Sequence, residues 1–131
     1  MLQNGLPRVC RLHTQKDFER VLKGGFKLQG SGLVMWTAKN PNPVEYARFA
    51  VVIYKKLGPA VLRNRTKRLL REAFRRSRTQ LPAGVDIIVR PHSSEKFINV
   101  QAAQEALTTL YRKAGFLPPS VAENSPEGNT K

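Results

Sequence analysis

The segment 60–79 constrains the fold more than any other part of this sequence, because its apolar and small residues recur with the period of an α-helix. At about 100° per residue, one arc of the helix holds Leu62, Thr66, Leu69, Leu70, Ala73, Phe74 and Ser77. A stripe of this width can be buried against a β-sheet. The sequence therefore predicts a helix over about residues 60–79 that packs on a sheet.

The remaining faces of this predicted helix are almost wholly cationic. Residues 61–80 contain eight Lys or Arg and one Asp or Glu, so they contribute +7 to a chain with a net charge of +14. Arginine can bind two phosphate oxygens at once, and each cation near a phosphate releases condensed counterions. A solvated helix face normally mixes charges of both signs, so RNA or DNA is the expected partner. An anionic membrane surface fits less well, since a domain of this size needs the apolar stripe for its core.

Apolar segments predict three β-strands, and capping residues predict two further helices. The strands are expected at residues 33–38, 47–54 and 85–90. The second of these is expected to be central in the sheet, because nearly all of it is apolar. Thr14 is the predicted N-cap of a first helix, and Asn99 is the predicted N-cap of a last helix over about 100–114.

Length and composition indicate a single domain. We expect it over residues 1–116, beginning with a short irregular arm, and we expect a disordered tail over residues 117–131. Cys10 is the only cysteine, and no segment has the pattern of a secretory leader, so a cytoplasmic location is expected. We do not expect the protein to bind or span a membrane, because no apolar run approaches the roughly 20 residues of a membrane span.

Residue types for protein-based catalysis are scarce. A nuclease that acts alone needs clustered carboxylates for metal ions, or a general acid–base pair. The only two aspartates, Asp17 and Asp86, are far apart in sequence, and so are His13 and His92. Asn64 lies within the basic segment, where it can exchange hydrogen bonds with RNA but cannot act as a base. The sequence therefore predicts a binding protein without a catalytic residue or a metal site of its own.

The block RFAVVIYKKLGPAVLRNRTKRLLREAFR, residues 48–75, resembles the signature of the bacterial ribonuclease P protein subunit. The segments 16–25 and 86–91 resemble the first helix and a later strand of that family. Tyr54 stands where the family usually has serine, and Leu22 stands where the family frequently has an aromatic residue. The resemblance implies an α+β fold, a two-layer sandwich of a small mixed β-sheet with three helices and a left-handed βαβ crossover, like ribosomal protein S5 domain 2.

The resemblance also implies a function. The protein would be a subunit of a ribonucleoprotein endoribonuclease whose active site is RNA, and which removes the 5′ leader of precursor tRNA. Mg²⁺ would be held mainly by the RNA, no organic cofactor would be needed, and one protein subunit would bind each catalytic RNA. A ribosomal or RNA-chaperone type of RNA-binding protein, without a part in catalysis, is the alternative.

Two sets of site residues follow from the resemblance by position. The set expected to bind the catalytic RNA is Lys55, Lys56, Arg63, Asn64, Arg65, Lys67, Arg68 and Arg71. The set expected to bind the single-stranded leader of precursor tRNA is Arg11, Lys16, Phe18, Leu22, Trp36 and Val52. In the second set the aromatic rings would stack on bases and the cations would bind phosphates.

Overall fold

A mixed sheet of four strands organises the computed structural model, which describes residues 12, 14–41, 46–93 and 97–116. The strands are β1 (Phe26–Gly30), β2 (Leu33–Lys39), β3 (Arg48–Val51) and β4 (Val85–Pro91). Their order in the sheet is β1-β2-β4-β3. The β1–β2 and β2–β4 pairs are antiparallel, whereas β3 and β4 are parallel neighbours.

Three α-helices complete the fold, and both predicted caps are confirmed. The helices are α1 (Gln15–Gly24), α2 (Ala60–Ser77) and α3 (Val100–Lys113). The Thr14 side chain accepts a hydrogen bond from the amide of Asp17, and the Asn99 side chain accepts one from the amide of Ala102. Short 3₁₀ helices precede α2 at Lys55–Leu57 and follow it at Arg78–Gln80.

The two faces of the sheet are covered by different helices. On one face α2 and α3 bury the larger core, in which the rings of Phe49 and Phe74 stack with centroids 4.3 Å apart. On the other face α1 buries a smaller core through Val21, which packs with Leu12 and Ile88. This second face carries only one short helix among the described residues, so more of the sheet lies near the surface there.

The α+β fold class is confirmed, with three helices and a small mixed sheet. The connection from β3 through α2 to β4 is a βαβ crossover, because its two strands are parallel neighbours. The left hand of this crossover stays a prediction. The expected arm before residue 12 and the expected tail over residues 117–131 lie outside the described residues.

The prediction that the second strand would be central is wrong, because β3 lies at an edge of the sheet. Both faces of β3 are covered, by α2 in the larger core and by the smaller core that includes Leu12 and Val21, so its residues are apolar without strands on both sides. Its outer edge is also paired, since the amide of Leu12 donates to the carbonyl of Phe49 at 2.9 Å. The strand is shorter than predicted and ends at Val51.

The strand β1 was not predicted. It lies at the other edge of the sheet, and Phe26, Lys27 and Gln29 are exposed. Phe26 and Leu28 alternate with Lys27 and Gln29, but this alternation is only two apolar residues long, and only Leu28 packs against the larger core. No helix in the described residues is long and apolar enough to cross a membrane.

Candidate nucleic-acid interface

The apolar stripe of α2 is buried as predicted, and this fixes the direction in which the cations point. Its fully buried members are Thr66, Leu70, Ala73, Phe74 and Ser77. Leu62 and Leu69 are less buried, at the margin of the stripe. The hydroxyl of Ser77 donates to the carbonyl of Ala73 and contacts the hydroxyl of Tyr111 at 3.3 Å, which links α2 to α3. The charged faces of α2 are therefore turned away from the core.

A tight turn that exposes two lysines leads into α2. Lys55 and Lys56 are exposed on the 3₁₀ helix before it. Gly58 has a φ of 144°, a conformation that side chains rarely adopt, and a Cβ there would lie 3.2 Å from Cδ1 of Leu62. The Arg63 guanidinium donates to the carbonyl of Gly58 through Nε at 3.1 Å. The turn and the first cations of α2 thus form one continuous surface.

Four of the predicted RNA-binding residues on α2 differ in how they are held. The Arg65 guanidinium donates to the carbonyls of Phe97 and Ile98, at 3.4 and 2.6 Å. Asn64 and Arg68 are exposed, and Lys67 is half-buried. Within the described residues the three cations among them, Arg65, Lys67 and Arg68, form no salt bridge. Arg71, the last member of the set, is half-buried.

The C-terminal end of α2 is different, because its charges are paired within the helix. Both Arg75 and Arg76 donate to the Glu72 carboxylate, with shortest distances of 2.6 and 2.9 Å. The hydrogen bonds from Arg75, opposed by partial burial and reinforced by Arg76, lower the pKa of Glu72 from 4.5 to about 2. Cations outside this pairing are therefore concentrated in the first half of α2. We call Lys55, Lys56, Arg63, Asn64, Arg65, Lys67, Arg68 and Arg71 the basic surface.

The low pKa of Glu72 predicts a pH-dependent contribution to stability. A lowered carboxyl pKa stabilises the folded state above the unfolded value of 4.5, and this contribution is lost as the pH falls from 4.5 to about 2. Wild-type protein should therefore be more stable than the Glu72→Gln variant at neutral pH, and the difference should shrink in that interval. Thermal unfolding of both proteins across the interval measures the difference, and a difference that stays constant with pH contradicts the prediction.

On the other face of the sheet, three of the predicted leader-binding residues are brought together. Phe18, Trp36 and Val52 are half-buried and pack against the same small core. Leu22 is 38% exposed and is not among the residues packed on that core. Lys16 is exposed in the first turn of α1. Arg11 lies outside the described residues.

Three residues beside this group were not predicted as site residues. The guanidinium of Arg90 lies over the rings of both Trp36 and Tyr54, and the ammonium of Lys27 lies 5.8 Å from the Trp36 ring centroid. Arg90 follows Ile88 by two positions on β4, so strand alternation places it on the same face as the smaller core. That alternation is the signal from which its face of the sheet, though not its contacts with the two rings, could have been predicted.

A network of four charged residues between α1 and the sheet was also not predicted. Asp86 on β4 is fully buried and accepts hydrogen bonds from Arg20 on α1 and from Arg48 on β3. Asp17 pairs with both arginines at 3.1 and 3.3 Å. Partial burial opposes ionisation of Asp17, but hydrogen bonds from Thr14 and Arg20, together with the Arg48 charge, hold its pKa below the ordinary value. Charged residues inside apolar strands were the available signal, since they require partners when buried.

Metal-ligating side chains are not clustered in the part of the chain that the structure describes. Among the described residues, no group of three or more His, Cys, Asp or Glu side chains is arranged to hold a metal ion. The buried carboxylate of Asp86 is already occupied by two guanidinium groups. The chemistry that these surfaces offer is binding of anions through Arg and Lys, and stacking on aromatic rings.

The fold and the two surfaces define a small α+β protein of the nucleic-acid-binding class, with a basic helix on one side and an aromatic-lined sheet face on the other. The sequence pattern of the family described as Ribonuclease P matches residues 6–115. The chain belongs to this family.

Individual relatives agree with the family match. The ribonuclease P protein component of Thermotoga petrophila is 37% identical over 107 residues, which cover 79% of this chain and 90% of the relative. That of Nitrosomonas europaea is 37% identical over 111 residues, or 83% of this chain and 90% of the relative. The solved structure of the Staphylococcus aureus RNase P protein is similar with a TM-score of 0.70 at 31% identity, covering 80% of this chain and 94% of that one. The resemblance inferred from residues 48–75 is thereby confirmed.

Proposed function

We propose that this chain is the protein subunit of ribonuclease P, and that it binds both the catalytic RNA and the 5′ leader of precursor tRNA. Family membership supports the role of the subunit. The assignment of the basic surface to RNA rests on the arrangement of side chains around α2. Its apolar stripe is buried, while Arg63, Arg65, Lys67 and Arg68 form no salt bridge within the described residues. Such a helix is stable in the monomer and still has its charge available for RNA.

The basic surface is the proposed site for the catalytic RNA. Arg63 and Arg65 each donate to backbone carbonyls, which orients their guanidinium groups without neutralising their charge. A guanidinium has five donors, so both retain N–H groups for phosphate oxygens. Lys67 and Arg68 extend the charge along the helix, and Lys55 and Lys56 extend it onto the preceding turn.

The aromatic-lined sheet face is the proposed site for the leader. Phe18 and Trp36 are half-buried, so each ring is fixed by the small core and still has surface available for an unpaired base. Val52 adds an apolar side chain to this face and is held beside β4, since its amide donates to the carbonyl of Val89. Lys16, Leu22 and Arg11 are proposed to contact the same leader from α1 and from the segment before it.

Leader cleavage itself is assigned to the RNA. The described side chains offer anion-binding and stacking groups, and carboxylates such as Asp86 and Glu72 are paired with arginines rather than gathered for metal binding. On the basis of family membership we also propose that Mg²⁺ is held mainly by the RNA, that no organic cofactor is used, and that one protein subunit binds each RNA in the cytoplasm. The protein would act by positioning the substrate.

The test is a reconstitution at low Mg²⁺ with a bacterial ribonuclease P RNA and precursor tRNA. The protein should increase leader cleavage when the RNA is present and should cleave nothing when it is absent. Binding without an increase in cleavage would indicate a ribosomal or RNA-chaperone type of protein instead. Cleavage by the protein alone would contradict the assignment of catalysis to RNA.

A further inference from the structure

The surface that carries Phe18, Trp36 and Val52, the proposed leader site, is called the leader face below. At one end of it the side chain of Arg90 is held between two aromatic rings. Its guanidinium carbon lies 5.6 Å from the ring centroid of Trp36 and 5.1 Å from that of Tyr54. Its Nη1 also donates to the hydroxyl of Tyr54 at 3.4 Å. Within the described residues Arg90 forms no salt bridge with a carboxylate. The rings therefore orient this cation without neutralising it.

The ring of Tyr54 is the outermost part of this arrangement. Tyr54 is 49% exposed, although tyrosine side chains are commonly more buried than this. It lines an indentation of about 180 Å³ together with Lys56, Leu57, Arg90, Pro91 and His92. An exposed aromatic ring beside two cations offers a stacking surface for a base and donors for its phosphate.

Two features indicate which strand of RNA occupies this indentation. Stacking on a protein ring requires an unpaired base, because bases in a duplex already stack on each other. Trp36, which is shared with the proposed leader site, contacts the same guanidinium as Tyr54. The order Trp36, Arg90, Tyr54 thus continues the leader face toward the lysines that precede α2.

We propose that Tyr54 and Arg90 form a binding site for one unpaired leader nucleotide, beyond the nucleotides that contact Phe18 and Trp36 and next to the basic surface at Lys56. The base stacks on the ring of Tyr54, and its phosphate binds the guanidinium of Arg90. This inference rests on the proposed function, since it assumes that the leader crosses the sheet face.

The decisive experiment compares Tyr54→Leu, which removes the ring and keeps apolar bulk, with Tyr54→Phe, which keeps the ring. Each protein is assembled with the catalytic RNA, and its affinity for precursor tRNA is measured as the leader is shortened one nucleotide at a time. Stacking of a single base on an aromatic ring is strong enough that Tyr54→Leu should bind a long leader roughly tenfold more weakly than wild type. Tyr54→Phe should bind like wild type. All three proteins should converge once the leader no longer reaches the indentation.

A single abasic nucleotide, moved along the leader, locates the stacked base. At one position it should weaken binding by wild-type protein but not by Tyr54→Leu, because that variant has no ring on which the base could stack. A weakening that is independent of leader length, or equal affinity of all three proteins, would overturn the proposal. Weaker binding of Tyr54→Leu to the catalytic RNA itself would also overturn it and would assign the indentation to that RNA. Failure of wild-type protein to increase leader cleavage would instead refute the proposed function and this inference with it.

Discussion

Replacing Lys67 and Arg68 together by glutamine should weaken binding to the catalytic RNA about 100-fold. Each side chain lies on the basic surface and forms no salt bridge within the described residues, so each can bind a phosphate. A hydrogen bond to a charged group contributes about 1.5–3 kcal/mol, and a factor of ten corresponds to about 1.4 kcal/mol. The slope of log affinity against log salt concentration should fall by about one for each phosphate that is no longer neutralised. Titration of labelled catalytic RNA over a range of salt concentrations measures both quantities.

The matched control is the double variant Arg75→Gln, Arg76→Gln. It removes the same formal charge from the same helix, but these two guanidinium groups already bind Glu72. The control should therefore lose much less affinity and keep most of its salt dependence. Equal losses of affinity in the two double variants would show that net charge, rather than the position of the basic surface, determines binding. An unchanged affinity of Lys67→Gln, Arg68→Gln would show that RNA does not contact this part of α2.

Local sequence patterns predicted the parts of the fold that depend on one element at a time. The period of the apolar residues predicted α2 and its buried stripe, and Thr14 and Asn99 predicted the starts of α1 and α3. Caps and amphipathic stripes are satisfied within a few residues, so they leave their signal in a short segment.

The order of strands in the sheet depends on distant segments, and here prediction from the sequence failed. The apolar composition of β3 shows that it is covered on both faces, but it does not show whether another strand or the segment at Leu12 pairs with its outer edge. The exposed strand β1 has only a short apolar alternation, Phe26 and Leu28, and only Leu28 packs on a core. The central position predicted for β3 and the missed strand β1 have one cause. The apolar composition of a segment indicates how deeply it is buried, but it does not indicate which other strand pairs with it.

The candidate site was predicted unevenly for a similar reason. The basic surface is a property of one helix and its preceding turn, so the sequence motif contained all of it. The position of Arg90 between Trp36 and Tyr54 requires β2, β4 and the chain after β3 to meet, and no local pattern encodes that meeting. The partners of Asp86 likewise come from α1 and β3, which are distant in sequence.

Asp86 is the residue through which this tertiary arrangement can be tested most directly. Its carboxylate is fully buried and joins α1 to β3 through Arg20 and Arg48, and Arg20 also donates to the carbonyl of Lys39. Since α1 carries Phe18 and Lys16, the ionic network fixes one wall of the proposed leader site to the sheet.

Substitution Asp86→Ala should lower the free energy of unfolding by about 3–5 kcal/mol, because it leaves two partly buried guanidinium groups without their main partner. Urea unfolding measures the change, and Asp17→Asn is the control, since that carboxylate is more exposed and should matter much less. The milder Asp86→Asn variant, where it folds, should bind long-leader precursor tRNA more weakly but keep its affinity for the catalytic RNA, because α2 is anchored on the other face. A decrease below about 1 kcal/mol in Asp86→Ala would show that the network contributes no more than an exposed ion pair.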